Sequence, residues 1–551
     1  MKKIHYICKY TPVELLTALG YECELLDDAP ARYDRAEQAA HPNLCGFGKS
    51  ILEAVLAGEV EDLILVDCCD TIRSVYDILR ADGRLRSLHL LDLLHGQDGC
   101  SVDRAVGQLK RLMADCSAET GQSFDPAAFR AAFRPYAPPQ GPHLLVMGAR
   151  MNGATFDQVQ KALPLPVENA TCAALRAVEA PEEADDDLDA LLTGYARRLL
   201  GQLPCLRVTD PTARRALWAR PGLAGVVYHT LQFCDFYGFE YAALRHALDV
   251  PLLKVETDGT TQSQGQLATR IGAFAEALAP ARDENDDETE GTAMGSYYAG
   301  IDSGSATTDV VILDAGRNIV AKVILPTGAG ASHGAERALE LALEQAGLAR
   351  DDLRRIVTTG YGRAVIGAGD RSVTEITCHA RGAFHLDPTV RTVLDIGGQD
   401  SKVIRLDDHG GVTNFVMNDK CAAGTGRFLE MMARTLELSL EEMGTIGLTW
   451  KEDIHISAMC TVFADSEVVS LVAQDKALAD IVHGLDDSVA IRAAALYRRV
   501  GGTAPVMMTG GVTRNEGVVR AIEARLGTKL VRHPDAQLCG ALGAALFAAE
   551  G

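Results

Sequence analysis

Short apolar runs bounded by turn residues alternate along this 551-residue chain with stretches whose apolar residues recur at helical spacing. The runs EDLILVDCC (61–69) and HLLVMGAR (143–150) are continuously apolar, as in parallel strands covered on both faces. Around 104–116 and 190–202 the spacing predicts helices. The pattern therefore predicts an α/β chain, and it breaks once. The stretch ARDENDDETEGTAMGS, from Ala281 to Ser296, is too charged and too poor in large apolar residues to pack, and reads as a solvated linker. It separates an N-terminal α/β region, 1–280, from a C-terminal unit, 297–551. A second acidic run, EAPEEADDDLDA (179–190), reads as a surface loop entering a helix, with Asp at the end the helix dipole favours. No short-period repeat is found, and length arithmetic suggests three or four structural domains.

Composition narrows the class. The net charge of −22 argues against a nucleic-acid partner, because phosphate neutralisation needs clustered Lys and Arg. No apolar run reaches the ~18–20 residues of a membrane helix. The opening MKKIHYICKY lacks an apolar stretch of signal-peptide length. The expectation is a cytoplasmic protein. In a reducing compartment its 14 cysteines are buried apolar groups or metal ligands rather than disulfides.

Candidate chemistry starts at YYAGIDSGSATTDVVILD (297–314): an apolar strand, Asp302, a Gly/Ser/Thr turn and a second apolar strand. Gly304 lets the turn approach a phosphate closely, and Ser303, Ser305, Thr307 and Thr308 supply donors. RTVLDIGGQDSKVIRLD (391–407) repeats the pattern with Asp395, Gly397 and Gly398. VMMTGGVTRNEGVVRAIEARLG (506–527) adds a strand, Gly510, Gly511 and a helix, and PDAQLCGALGAALFA (534–548) a final helix. Two other glycine motifs fail. CGFGKS (45–50) has Asn43 where a P-loop needs Gly, and GAGASHG (328–334) has the wrong spacing for a dinucleotide fingerprint.

Two Asp-tipped glycine hairpins followed by these segments resemble the duplicated lobes of the acetate kinase, sugar kinase, Hsp70 and actin superfamily. The resemblance implies a two-lobed ATPase with nucleotide phosphates and a hydrated Mg²⁺ between the tips. Asp302 and Asp395 would hold the Mg²⁺ water shell, and Gln399 or Asp400 would orient the attacking water. The 506–527 segment, with Gly510, Gly511 and Asn515, would pack against adenosine.

NDKCAAGTGRFLEMMARTLEL (418–438) places Cys421 just before a helix with apolar residues at 428, 431 and 432. ISAMCTVFADSEVVSLVAQ (456–474) places Cys460 after a strand-like entry and before a helix starting near Ala464. A thiolate at a helix N-terminus is favoured by the dipole and suits iron. Two thiolates cannot complete a [4Fe–4S] cube, but a two-fold dimer supplies four. CAAGTGRF (421–428) and CTVFADSE (460–467) resemble the hallmark segments of the BadF/BadG/BcrA/BcrD ATPase family, the activators of 2-hydroxyacyl-CoA dehydratases and benzoyl-CoA reductases. The resemblance covers 298–551. It implies a [4Fe–4S] cluster bridging a homodimer, an ATP-driven change in the flanking helices, and ferredoxin or flavodoxin as electron source. Asp309 departs from the family, many members having Lys there.

The N-terminal region resembles the 2-hydroxyglutaryl-CoA dehydratase D-component and is expected to be Rossmann-like. The resemblance rests on YICKYTPVELLTALGYE (6–22), where Tyr-x-Pro-Val-Glu opens the first helix. It rests also on Cys45 in HPNLCGFGKS, Cys69 in VDCCDTIRSVYDIL and Cys234 in YHTLQFCDFYGFEY. It implies that these three thiolates ligate an iron–sulfur cluster with one iron open. Cys8 and Cys68 are candidate extra ligands, as a double-cubane reductase would need. Cys23, Cys100, Cys116, Cys172, Cys205, Cys378 and Cys539 read as buried structural residues. The expected function is ATP-driven one-electron transfer to a second iron–sulfur site, supporting 2-hydroxyacyl-CoA dehydration. The alternatives are the double-cubane reductase, an activator whose N-terminal half only docks onto separate dehydratase subunits, and a plain sugar or acetate kinase.

Overall fold

The strands Asp62–Val66 and His143–Gly148 are buried at every position, which is why their sequences show no alternation. The computed structural model describes residues 2–550 except 28, 42, 95, 97, 181–186, 203–204, 206–210, 246, 262–263, 279–296, 329, 364–365, 368, 419–421 and 458–460. The expected linker, 281–296, and the middle of the second acidic run lie outside the described residues. Contacts divide the chain into two compact units, Met1–Leu278 and Ala279–Gly551. Each unit carries two sheets, so one unit spans what length arithmetic counts as two domains.

In the first unit the strands are β1 Lys2–Tyr6, β2 Tyr21–Leu25, β3 Asp62–Val66, β4 Ser87–Leu91, β5 His143–Gly148, β6 Val167–Thr171, β7 Leu223–Leu231 and β8 Leu252–Thr257. They form two parallel four-stranded sheets, ordered β2-β1-β3-β4 and β6-β5-β7-β8. In both the order reverses beside the second strand, between β1 and β3 and between β5 and β7. Such switch points open a crevice at the carboxyl ends of the strands, where Rossmann-like folds place their ligands.

The second unit contains β9 Tyr297–Ser303, β10 Thr307–Leu313, β11 Ile319–Pro326, β12 Leu353–Thr359, β13 Arg371–Ser372, β14 Thr392–Ile396, β15 Ser401–Leu406, β16 Val412–Asn418, β17 Val506–Thr509 and β18 Leu530–Val531. Its sheets, β11-β10-β9-β12-β13 and β16-β15-β14-β17-β18, share one topology: an antiparallel meander with two parallel strands added. The chain has built the same lobe twice, the two-lobed α/β ATPase architecture expected from the paired hairpins.

Helices Glu375–Leu386 and Cys539–Glu550 approach backbone to backbone. A Cβ on Gly543 would lie 1.9 Å from the carbonyl oxygen of Cys378, and one on Gly382 2.1 Å from that of Cys539. Expected helices at 104–116 and 190–202 fall inside Gly99–Thr120 and Leu188–Leu200. Two boundaries differ from expectation. The final helix begins at Cys539, after a 3₁₀ turn at Ala536–Leu538, and the helix after position 460 begins at Thr461, three residues before Ala464. Residues 453–457 form no strand, contrary to the strand-like entry expected there. No described helix is long and apolar enough to cross a membrane.

Candidate functional site

In the second unit the hairpins β9–β10 and β14–β15 meet at their tips. A Cβ on Gly398 would lie 2.9 Å from the Ala306 Cβ and 3.0 Å from the Ser305 Oγ, so only a residue without a side chain fits between the turns. Behind the tips stand Asp302 and Asp395, at the ends of β9 and β14. His379, on helix Glu375–Leu386, sits between them: its Nε2 is 3.6 Å from Asp302 Oδ2 and its Nδ1 3.6 Å from Asp395 Oδ1. Burial opposes charge on this ring, but the two carboxylates prevail and raise its pKa.

Asp395 is fully enclosed. Thr509 Oγ1 donates to its Oδ1 at 2.8 Å, and the Lys402 ammonium lies 3.3 Å from Oδ2. Burial pushes its pKa up, yet His379 and Lys402 hold it below the usual carboxylate range. Lys402 also pairs with Asp400 at 2.9 Å, so of the two water-orienting candidates Asp400 is engaged and Gln399 stands exposed at the tip. Gly510 adopts φ +84°, and a Cβ there would meet the Ile396 carbonyl at 2.4 Å. Gly511 is exposed, and Asn515 caps helix Glu516–Leu526, its Oδ1 accepting from Val518 N at 2.8 Å. Ser303 and Thr308 are buried, and Gly304, Ser305, Thr307 and Gly397 are half-buried along the turns.

Asp309 lies opposite Asp302 in the hairpin register. Burial, and then the Asp302 charge, push its carboxyl up to about 8. A cavity of about 620 Å³ borders Met508, Thr513, Arg514, His533 and Gln537, but neither aspartate nor either hairpin tip lines it.

Cys421 and Cys460 lie outside the described residues. The helices that follow them, Gly426–Thr435 and Thr461–Ala473, are joined where Thr435 Oγ1 donates to Asp465 Oδ1 at 3.0 Å. The second helix exposes Val462, Phe463, Val469 and Val472.

In the first unit Cys45, Cys69 and Cys234 are each the N-cap residue of a helix: Gly46–Ala57, Asp70–Asp82 and Asp235–Leu244. The structure brings all three within electrostatic reach of one another. Burial is the main reason the Cys45 thiol is pushed up and the Cys234 thiol reaches about 12. Cys8 and Cys68, just past β1 and β3 at a switch point, hydrogen-bond to each other, and Cys68 bonds Cys69 as well. That bond lowers the Cys8 thiol and, with Cys69, raises Cys68 far above its ordinary value.

Cys172, read from sequence as structural, also lies within reach of Cys8, and Cys205, read the same way, within reach of Cys172; the buried ammonium of Lys9 is close to all three. Their convergence left no local sequence signal, because the residues involved are far apart in the chain. The donor set is thiol-rich and suits iron. Among the described residues, no three His, Cys, Asp or Glu side chains are already gathered as one metal ion would need.

Residues 299–548 match the model of the BadF/BadG/BcrA/BcrD ATPase family, and residues 8–138 and 134–278 that of the 2-hydroxyglutaryl-CoA dehydratase D-component. The activator of lactoyl-CoA dehydratase from Anaerotignum propionicum is 50% identical over 254 residues, 46% of this chain and 98% of that protein. The solved component A of (R)-2-hydroxyglutaryl-CoA dehydratase from Acidaminococcus fermentans shares 45% identity, with a TM-score of 0.45, over 46% of this chain and 98% of its own. The beta subunit of that organism's (R)-2-hydroxyglutaryl-CoA dehydratase is 34% identical over 109 residues, 18% of this chain and 29% of the subunit.

Proposed function

The chain belongs, through residues 299–548, to the BadF/BadG/BcrA/BcrD ATPase family, and from that premise we propose that it uses ATP to drive single low-potential electrons from a [4Fe–4S] cluster into a second iron–sulfur site in its own N-terminal unit, supporting radical dehydration of a 2-hydroxyacyl-CoA. The observation that carries this reading is the facing pair of Asp-tipped hairpins, spanned at Asp302 and Asp395 by His379.

Amide and hydroxyl groups of Ser303, Gly304, Ser305, Thr307, Thr308, Gly397 and Gly398 cradle the phosphates. Asp302 and Asp395 orient the water shell of Mg²⁺. Gln399 orients the attacking water, and Gly510, Gly511 and Asn515 border the adenosine. Cys421 and Cys460 of two chains supply the four thiolates of one cube, and the exposed apolar residues of helix Thr461–Ala473 support a homodimer there. An iron–sulfur cube supplies reversible one-electron chemistry when bound. Cys45, Cys69 and Cys234 hold the receiving cluster with one iron open, on helix N-termini whose dipoles favour thiolate. A dehydratase-like subunit is the further partner, consistent with relatives named as dehydratase activators, and ferredoxin or flavodoxin is the electron source.

The test is air-free purification followed by EPR with and without ATP. A cluster signal that changes on ATP addition and is lost in Cys421→Ser is expected. A chain that stays iron-free after cluster reconstitution would overturn the reading. The hydrogen-bonded thiols Cys8, Cys68 and Cys69 favour a second reading, in which the N-terminal unit carries a double cubane and reduces a small molecule.

A further inference from the structure

Helix Leu478–Val500 buries a carboxyl to which no cation is assigned. Asp486 is 1% exposed, and neither of its oxygens has a hydrogen-bond partner. Burial alone pushes this carboxyl well above its ordinary range, which favours the uncharged form. The charged groups nearby are engaged elsewhere. Asp487, next along the helix, accepts from Arg525 at 2.7 Å. His483, one turn earlier, stacks on Trp450 with ring centroids 4.1 Å apart. Glu516, at the start of helix Glu516–Leu526, accepts from Arg520 at 2.9 Å and from Arg532 at 2.7 Å.

What Asp486 does meet is Asn515, the N-cap residue of that second helix. The two side chains converge at Gly517, where a Cβ would stand 2.1 Å from Asp486 Oδ2 and 3.3 Å from Asn515 Oδ1. On the far side, a Cβ on Gly447 would come within 2.8 Å of the same Asp486 oxygen, so residues without side chains close on it from two elements. Asn515 Oδ1 is in use, accepting from Val518 N at 2.8 Å, but its Nδ2 is buried without a partner. A buried amide donor thus lies beside a buried carboxyl that has spare acceptors. Leaving either unmade is costly in such a junction, and each is the group the other lacks.

We infer that Asp486 is a positioning residue of the nucleotide site: it accepts the Asn515 amide and so fixes where the turn 510–515 stands against the adenosine of a nucleotide. The inference rests on the proposed contact of Gly510, Gly511 and Asn515 with adenosine. No charge is needed, since an uncharged carboxyl keeps an oxygen that accepts. The acceptor stands on Leu478–Val500, so the turn cannot drift from that helix without breaking the bond.

The test exchanges the two side chains and measures ADP binding to the full-length chain by calorimetry in MgCl₂. Asn515→Asp keeps an oxygen to cap the helix but removes the amide donor. Its ADP affinity is expected to fall about fivefold, the worth of one buried hydrogen bond, and adding Asp486→Asn should restore it to within about twofold of wild type. A merely structural defect at the cap would persist, because the double variant still carries Asn515→Asp. Should that single variant fail to fold, the double variant decides alone: ADP affinity like wild type supports the pairing. An exchange that restores nothing, or Asn515→Asp binding as wild type does, overturns the inference. A wild-type chain that binds no ADP overturns the nucleotide reading itself and this inference with it, so the two failures are told apart.

Discussion

His229 stands on β7 with its ring buried, Nδ1 3.1 Å from the Ala149 carbonyl and Nε2 2.9 Å from Thr257 Oγ1. Burial holds its pKa down to about 4, against 6.5 for the free ring. Between those values the unfolded chain takes up a proton that the folded one refuses. The contribution is therefore whole above about pH 6.5 and lost as pH falls toward 4, on the order of 3 kcal/mol in all. Amide exchange of β5, β7 and β8 at pH 7 and pH 5 should show protection falling in the wild type and falling much less in His229→Gln. Parallel losses would mean that other groups set the acid sensitivity. The same residue-level reading separates the two tip candidates: Asp400 is spoken for by Lys402, and Gln399 is free to face a ligand. Sequence had ranked them equally, because both follow Gly398 and only the β15 partner tells them apart.

At the scale of elements, the crossing of Glu375–Leu386 with Cys539–Glu550 depends on missing side chains. Gly543→Ala would drive a methyl group into the Cys378 carbonyl, and backbone cannot move aside as a flexible side chain can. A loss of about 1–3 kcal/mol is expected from overpacking, read as a lower urea midpoint for the second unit. An unchanged midpoint would show that the helices slide apart at little cost. Helix Thr461–Ala473 behaves differently, presenting Val462, Val469 and Val472 at spacings of seven and three along an exposed side. If two chains meet there, Phe463→Asp with Val469→Asp should turn a dimer into a monomer by light scattering while the helix content stays. A dimer that persists would place the contact elsewhere. The sequence places the start of this helix near Ala464, three residues late, because Thr461 to Phe463 are β-favouring by composition, while Ala464 and Val468 pack as buried residues of the helix.

For the molecule as a whole, iron content decides between the two readings of the first unit. A shared cube plus one cube per chain predicts about six irons per chain, and a double cubane about ten. Cys172→Ser should leave the first number intact and reduce the second. Much of the architecture was open to sequence reading. Unbroken apolar runs marked parallel strands covered on both faces, and two aspartates beside glycine turns about 90 residues apart revealed a lobe made twice. Such features are local, set by periodicity, backbone freedom and charge over a few residues. What the folded chain alone decided was which distant residues share a site. His379 joins Asp302 to Asp395 from a helix with no motif of its own, Cys172 reaches the other thiols from the end of β6, and Thr359 completes a row with Asp309 across three strands. Side-chain charges interact through space, and strand order, which no local pattern records, sets the distances between them.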